Sequence, residues 1–132
     1  MSATRFAPIH NYRDLIVWQK AMTLAVRAYA IAGQLPRSEL YGLSSQIRRA
    51  AVSVPANIAE GHGRLHRAEY RHHAGIANGS VTELETEVVL AERLGYVSGT
   101  EVAAFLEASA EVGKMLNRLV RVLGRAPLAP NP

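Results

Sequence analysis

Residues 53–64 read SVPANIAEGHGR, which sets a proline, an asparagine and a glutamate inside an otherwise apolar helical pattern. Leu40, Leu43, Ile47, Ala50, Val54 and Ile58 recur at steps of three and four, predicting a helix that starts after Ser38 as N-cap and runs to about Glu60. Proline in a helix interior removes a backbone donor at a cost of roughly 3 kcal/mol. Pro55 is therefore expected to bend the helix, and Gly61 and Gly63 to end it in a left-handed conformation. Beside the apolar stripe runs a polar one: Gln46, Arg49, Ser53, Asn57, Glu60 and Arg64, again at helical spacing.

Working outward, three more segments show the same period. The first covers about Asp14 to Ala32, with Val17, Ala21, Leu24, Ala28 and Ile31 on one face and Leu15, Trp18, Met22 and Tyr29 on the next. Two adjacent stripes predict contact with more than one neighbour, and Gly33 is a natural stop. The segment from about His66 to Leu94 carries Tyr70, Ala77, Val81, Leu84, Val88 and Ala91, and ends at Gly95. Its Ser80, Glu83 and Glu87 can answer the polar line, beside Gly75 and Gly79, whose helix cost of ~1 kcal/mol each suggests close approach of another backbone. The last segment, with Thr100 as expected N-cap, holds Val102, Phe105, Leu106, Val112, Leu116, Leu119 and Leu123. The proline-rich APLAPNP cannot continue it.

No alternating pattern bounded by hairpin signals occurs. Four helices with short links predict an all-α, antiparallel up-and-down four-helix bundle over residues 13–125, with an N-terminal extension at 1–12 and a tail at 126–132. The 132 residues suit one domain, long enough to bury a core without metal or disulfide. There is no cysteine, which excludes a thiolate metal site or a cysteine nucleophile. The only apolar run near the N-terminus, Leu15 to Trp18, is too short for a signal peptide or a membrane span. The expectation is a cytoplasmic protein.

The net charge is +4, with thirteen arginines among fifteen cations. Residues 1–73 hold ten basic and four acidic side chains, and residues 74–132 hold five and seven. Arginine's planar fork suits phosphate, so nucleic acid is a permitted partner. Arg64, Arg67 and Arg71 would share a face if their turn is helical, and Lys114, Arg118, Arg121 and Arg125 form a second stripe. Glu69 and His72 make one E-x-x-H pair, but a di-iron bundle needs two, so neither a metal nor a cofactor is expected. No nucleophile elbow or phosphate-binding glycine loop occurs.

Several runs also carry a family resemblance: DLIVWQKA at 14–21, ELYGL at 39–43, QIRRA at 46–50, SVPANIAEG at 53–61, and Gly79-Ser80 with Glu83-Leu84-Glu85. Spread in order over about residues 12–96, they resemble the bacterial four-helix-bundle proteins encoded in intervening sequences of large-subunit ribosomal RNA genes. The resemblance implies a ring-shaped homopentamer without established enzymatic activity. It also implies kinship with the basic, pentameric, nucleic-acid-binding accessory protein of diversity-generating retroelements, which is far more basic than this chain.

Two readings of the polar line stay open. It can be a satisfied network that fixes helix register, or a recognition surface presenting Arg48, Arg49 and Arg64. The working assignment gives Arg48, Arg49 and Arg64 to partner or phosphate contacts, with Arg67, Arg71, Lys114, Arg118, Arg121 and Arg125 as electrostatic support. Gln46, Ser53, Asn57, Glu60, Ser80 and Glu83 go to architecture. The expected function is a non-enzymatic, self-assembling scaffold able to bind RNA or DNA. The alternatives are a ring that binds only protein and, from a different class, a metal-dependent bundle enzyme.

Overall fold

The computed structural model describes residues 8–125, which form four α-helices and no strand. They are α1 (Ile16–Ala32), α2 (Leu43–His62), α3 (Arg67–Arg93) and α4 (Gly99–Gly124), with short 3-10 turns at Tyr12–Asp14 and Arg37–Glu39. The tail at 126–132 lies outside the described residues.

Pairings across the interfaces fix the topology. Ser44 Oγ donates to the Ala32 carbonyl (3.3 Å), Ser53 meets Ser80 and Asn57 meets His73, Asn78 meets Asn117, and Lys20 pairs with Glu111. Arg48 over Tyr29, Arg71 on Val120 and Gln34 on Glu101 give the other interfaces a second pair, and in each the numbering rises on one helix as it falls on the other. All neighbouring helices are therefore antiparallel, and α4 closes back on α1.

The core follows from the apolar stripes. Leu24, Ile31, Ile47, Ile58, Leu84, Phe105 and Leu116 are all at most 1% exposed, and burying each contributes about 1.5–3 kcal/mol. The second stripe on α1 is split: Leu15 and Trp18 pack against the core, whereas Met22 and Tyr29 remain 40% and 45% exposed. The two neighbours expected for α1 are α2 and α4.

The helix ends correct several expectations. Ser38 lies in the Arg37–Glu39 turn and does not cap α2. The Leu43 N–H is taken by Glu39 Oε1 at 3.1 Å, and Glu39 Oε2 accepts the Tyr96 hydroxyl at 3.1 Å. A carboxylate reaching back from the preceding turn satisfies an orphan N–H and complements the helix dipole, which a short serine could not do from Ser38. At α4 the cap is Ser98, whose Oγ accepts the Glu101 N–H at 3.2 Å, and Thr100 is already helical. Asp14 accepts the His10 and Asn11 N–H groups, which hold its carboxyl below the usual range.

α2 runs unbroken through the buried Pro55 and includes Gly61. Gly63, its C-cap, has φ −80, so neither glycine is left-handed. Gly61 marks a close approach instead: a Cβ there would stand 2.8 Å from His73 Cβ and 3.0 Å from Tyr70 Cδ1. Nothing lies within 4 Å of a Cβ at Gly75 or Gly79, so the backbone approach expected there is absent from the protomer. Both glycines face outward, while α2 and α3 come together at Gly61. Gly95, with φ +84, ends the α3 turn as expected.

Candidate nucleic-acid interface and the polar seam

The polar line of α2 meets α3 in a connected seam. Ser53 and Ser80 hydroxyls lie 2.8 Å apart, and Asn57 Nδ2 donates to Ser53 O (2.9 Å) and Ser53 Oγ (3.1 Å). Asn57 Oδ1 lies 3.0 Å from His73 Nδ1, and His73 Nε2 is 3.8 Å from Glu60. Glu60 accepts a hydrogen bond from Arg64, so its arginine comes from the same line. The sequence reading did not place His73 in this seam. Its position two helical turns before Ser80 is the signal that could have done so, since 73, 77, 80, 84 and 87 share a face.

At the other end of the seam Glu87 is only 6% exposed. Burial, then hydrogen bonding and repulsion from Glu83, push its carboxyl up to about 8, and Arg49 opposes this more weakly. At neutral pH Glu87 therefore keeps its proton and can donate to Glu83, which is exposed. Gln46 is exposed at the start of α2.

The basic residues separate into two kinds. Arg67 donates to the Val122 (2.7 Å) and Leu123 (3.2 Å) carbonyls, and Arg71 donates to Val120 O (3.1 Å). Both guanidiniums cover the C-terminal end of α4, where the dipole is negative, and Arg67 reaches two of the last four carbonyls, which lack α-helical donors. Arg71 fits because Gly124 has no side chain; a Cβ there would stand 2.8 Å from Arg71 Nε. Arg64 lies in the link before α3, so the expected three-arginine face reduces to Arg67 and Arg71. Arg48 stacks over the Tyr29 ring at 5.7 Å, and Arg49 Nη2 donates to Ser45 Oγ at 3.4 Å.

Lys114, Arg118, Arg121 and Arg125 are exposed, and none forms an ion pair among the described residues. The nearest acid in sequence, Glu111, is held by Lys20 at 3.0 Å. Lys114, Arg118 and Arg121, with Met115 and Asn117, line a surface depression of about 430 Å³. Asn117 is fixed there by Asn78 at 2.8 Å, a cross-helix pair with no counterpart in the sequence reading. The arrangement offers charge-assisted donors to an anion on an open surface.

Among the described residues no group of three or more His, Asp or Glu side chains gathers as a metal site. Within them, no helix is long and apolar enough to cross a membrane.

The family described as 23S rRNA-intervening sequence protein matches residues 13–118. A crystal structure from Bacteroides thetaiotaomicron, of a protein with unknown function from the S23 ribosomal protein family, is 26% identical. It superposes with a TM-score of 0.75, covering 80% of this chain and 99% of its own. The search of curated proteins returned no match. With the family match extending from the first turn of the bundle through most of α4, the chain belongs to the 23S rRNA-intervening sequence protein family.

Proposed function

We propose that the protein is a non-enzymatic cytoplasmic scaffold that assembles into a ring, a homopentamer by family resemblance, and holds RNA or DNA through the α4 basic stripe. One observation carries the nucleic-acid part: Lys114, Arg118 and Arg121 converge on one depression with no carboxylate paired to them among the described residues. Unpaired arginines are free to displace counterions from phosphates, whereas Arg64, Arg67 and Arg71 already have partners in the protomer. Repetition of the stripe around a ring turns weak contacts into a multivalent surface. Assembly is supported by the exposed Met22, Val26 and Tyr29 on α1 and Val52 on α2.

The test is the salt dependence of binding to a short mixed-sequence RNA, followed by anisotropy, for the wild type and an R118E/R121E variant. The expected result is a steep log–log slope for the wild type. In the variant it should fall by roughly 0.7 for each phosphate of a single strand that is no longer neutralised. Unchanged RNA binding by the variant removes the α4 stripe from the proposal. A wild type that assembles but ignores RNA leaves a ring that binds protein alone.

A further inference from the structure

The α2–α3 seam contains a carboxyl pair that the protomer leaves incomplete. Glu87 is 6% exposed and its Oε1 has no hydrogen-bond partner. The charged groups acting on it are Glu83, one turn earlier on α3, and Arg49 on α2, with none from α1 or α4. Arg49 does not complete the site: its guanidinium turns to Ser45 and forms no ion pair. Two carboxyls a helical turn apart, one of them desolvated, form a site short of one cation.

The surroundings suit a flat contact with another protein surface. Exposed Ile76 and Leu90 stand seven residues to either side of Glu83 on α3. Gly79, between Ile76 and Glu83, presents no side chain, and nothing lies within 4 Å of where one would begin. The face with matching chemistry belongs to α1 and α2. There the Arg48 guanidinium rests on the Tyr29 ring, beside exposed Val26 and Val52, with no carboxylate paired to it. Stacking already restricts that arginine, so docking it orders little more.

We infer that Glu83 and Glu87 receive the guanidinium of Arg48 from a second copy of this chain, with the apolar residues around Arg48 and around Glu83 facing each other. The inference rests on the assembly reading above and deepens it by naming the residues at one interface. Donor and acceptor lie on different faces of the protomer, so the contact is head-to-tail. Each added copy leaves a donor and an acceptor open until a ring closes.

The experiment is sedimentation equilibrium on wild type, E83Q/E87Q, R48A and the triple variant, with thermal melts to verify folding. The expected result is a self-associating wild type, with association weakened roughly 30-fold or more in both E83Q/E87Q and R48A. The triple variant should be no weaker than either, because the two changes remove one interaction. If E83Q/E87Q associates like wild type, or the two losses multiply in the triple variant, the inference is overturned while the assembly reading stands. An R49A variant that alone reproduces the E83Q/E87Q loss also overturns it, since the cation then comes from within the protomer. A monomeric wild type at all concentrations overturns both.

Discussion

The α2–α3 seam and the α4 edge carry polar residues at the same helical spacing, yet they are built in opposite ways. In the seam, side chains answer one another across the interface: Ser53 to Ser80, Asn57 to His73, with Glu60 held by Arg64 from its own line. On the α4 edge, Lys114, Arg118 and Arg121 face outward without compensation. A polar stripe on a helix is therefore not in itself a recognition surface; what distinguishes the two is whether each charge has a partner within the protomer. Arg67 and Arg71 stand between these extremes, exposed cations engaged by the end of a helix.

The comparison can be broken most forcefully at Gly61. Adding a methyl group there drives it into His73 and Tyr70, so Gly61→Ala should destabilise the protomer by about 1–3 kcal/mol. Chemical denaturation checks this, and an unaffected midpoint would mean that the seam tolerates separation. Arg71→Ala comes next, with a stability loss of about 1–2 kcal/mol from the lost charge-assisted bond to the Val120 carbonyl and the lost cation at the negative end of α4. The RNA salt slope should stay unchanged, and a reduced slope would move Arg71 into the phosphate-binding set.

Glu87 gives a pH test of the seam. Its carboxyl titrates near 8 in the folded chain, against an ordinary value of 4.5, so the folded state keeps a proton that the unfolded state releases. Its contribution to stability is fully present below about pH 4.5, falls as pH rises, and is lost above about pH 8. Glu87→Gln removes that dependence, so the variant's melting temperature relative to wild type should rise with pH between those limits. The measurement is a pair of thermal melt series at concentrations where the chain is monomeric. The smallest effect on folding belongs to the α4 edge: R118E/R121E should alter stability by no more than about 0.5 kcal/mol, its consequence appearing in RNA binding alone.

The bundle itself was legible because burial repeats locally. Val17 through Ile31, Ile47 through Ile58 and Val81 through Ala91 announce buried faces from spacing alone, and the structure buries them. Helix ends were less legible, because a cap depends on which residue leaves the extended conformation; Ser98 and Thr100 are equally plausible as strings. The fates of Arg67 and Arg71 were hidden more deeply, since their carbonyl partners lie about fifty residues along the chain. Spacing grouped Arg64 with them, but Arg64 turns back to Glu60. Gly75 and Gly79 gave the opposite lesson, as their spacing suggested a neighbour that the protomer does not supply.

Glu39 bears on the order in which the molecule is built. Its two oxygens join the start of α2 to Tyr96, 57 residues away in the link between α3 and α4. Most other pairings connect helices adjacent along the chain, each forming by closure of a short loop. The Glu39–Tyr96 bond instead needs both helical hairpins to have docked, as does the α1–α4 contact. A contact of that kind is expected to form late, so that its loss should speed unfolding more than it slows the first encounter of the helices.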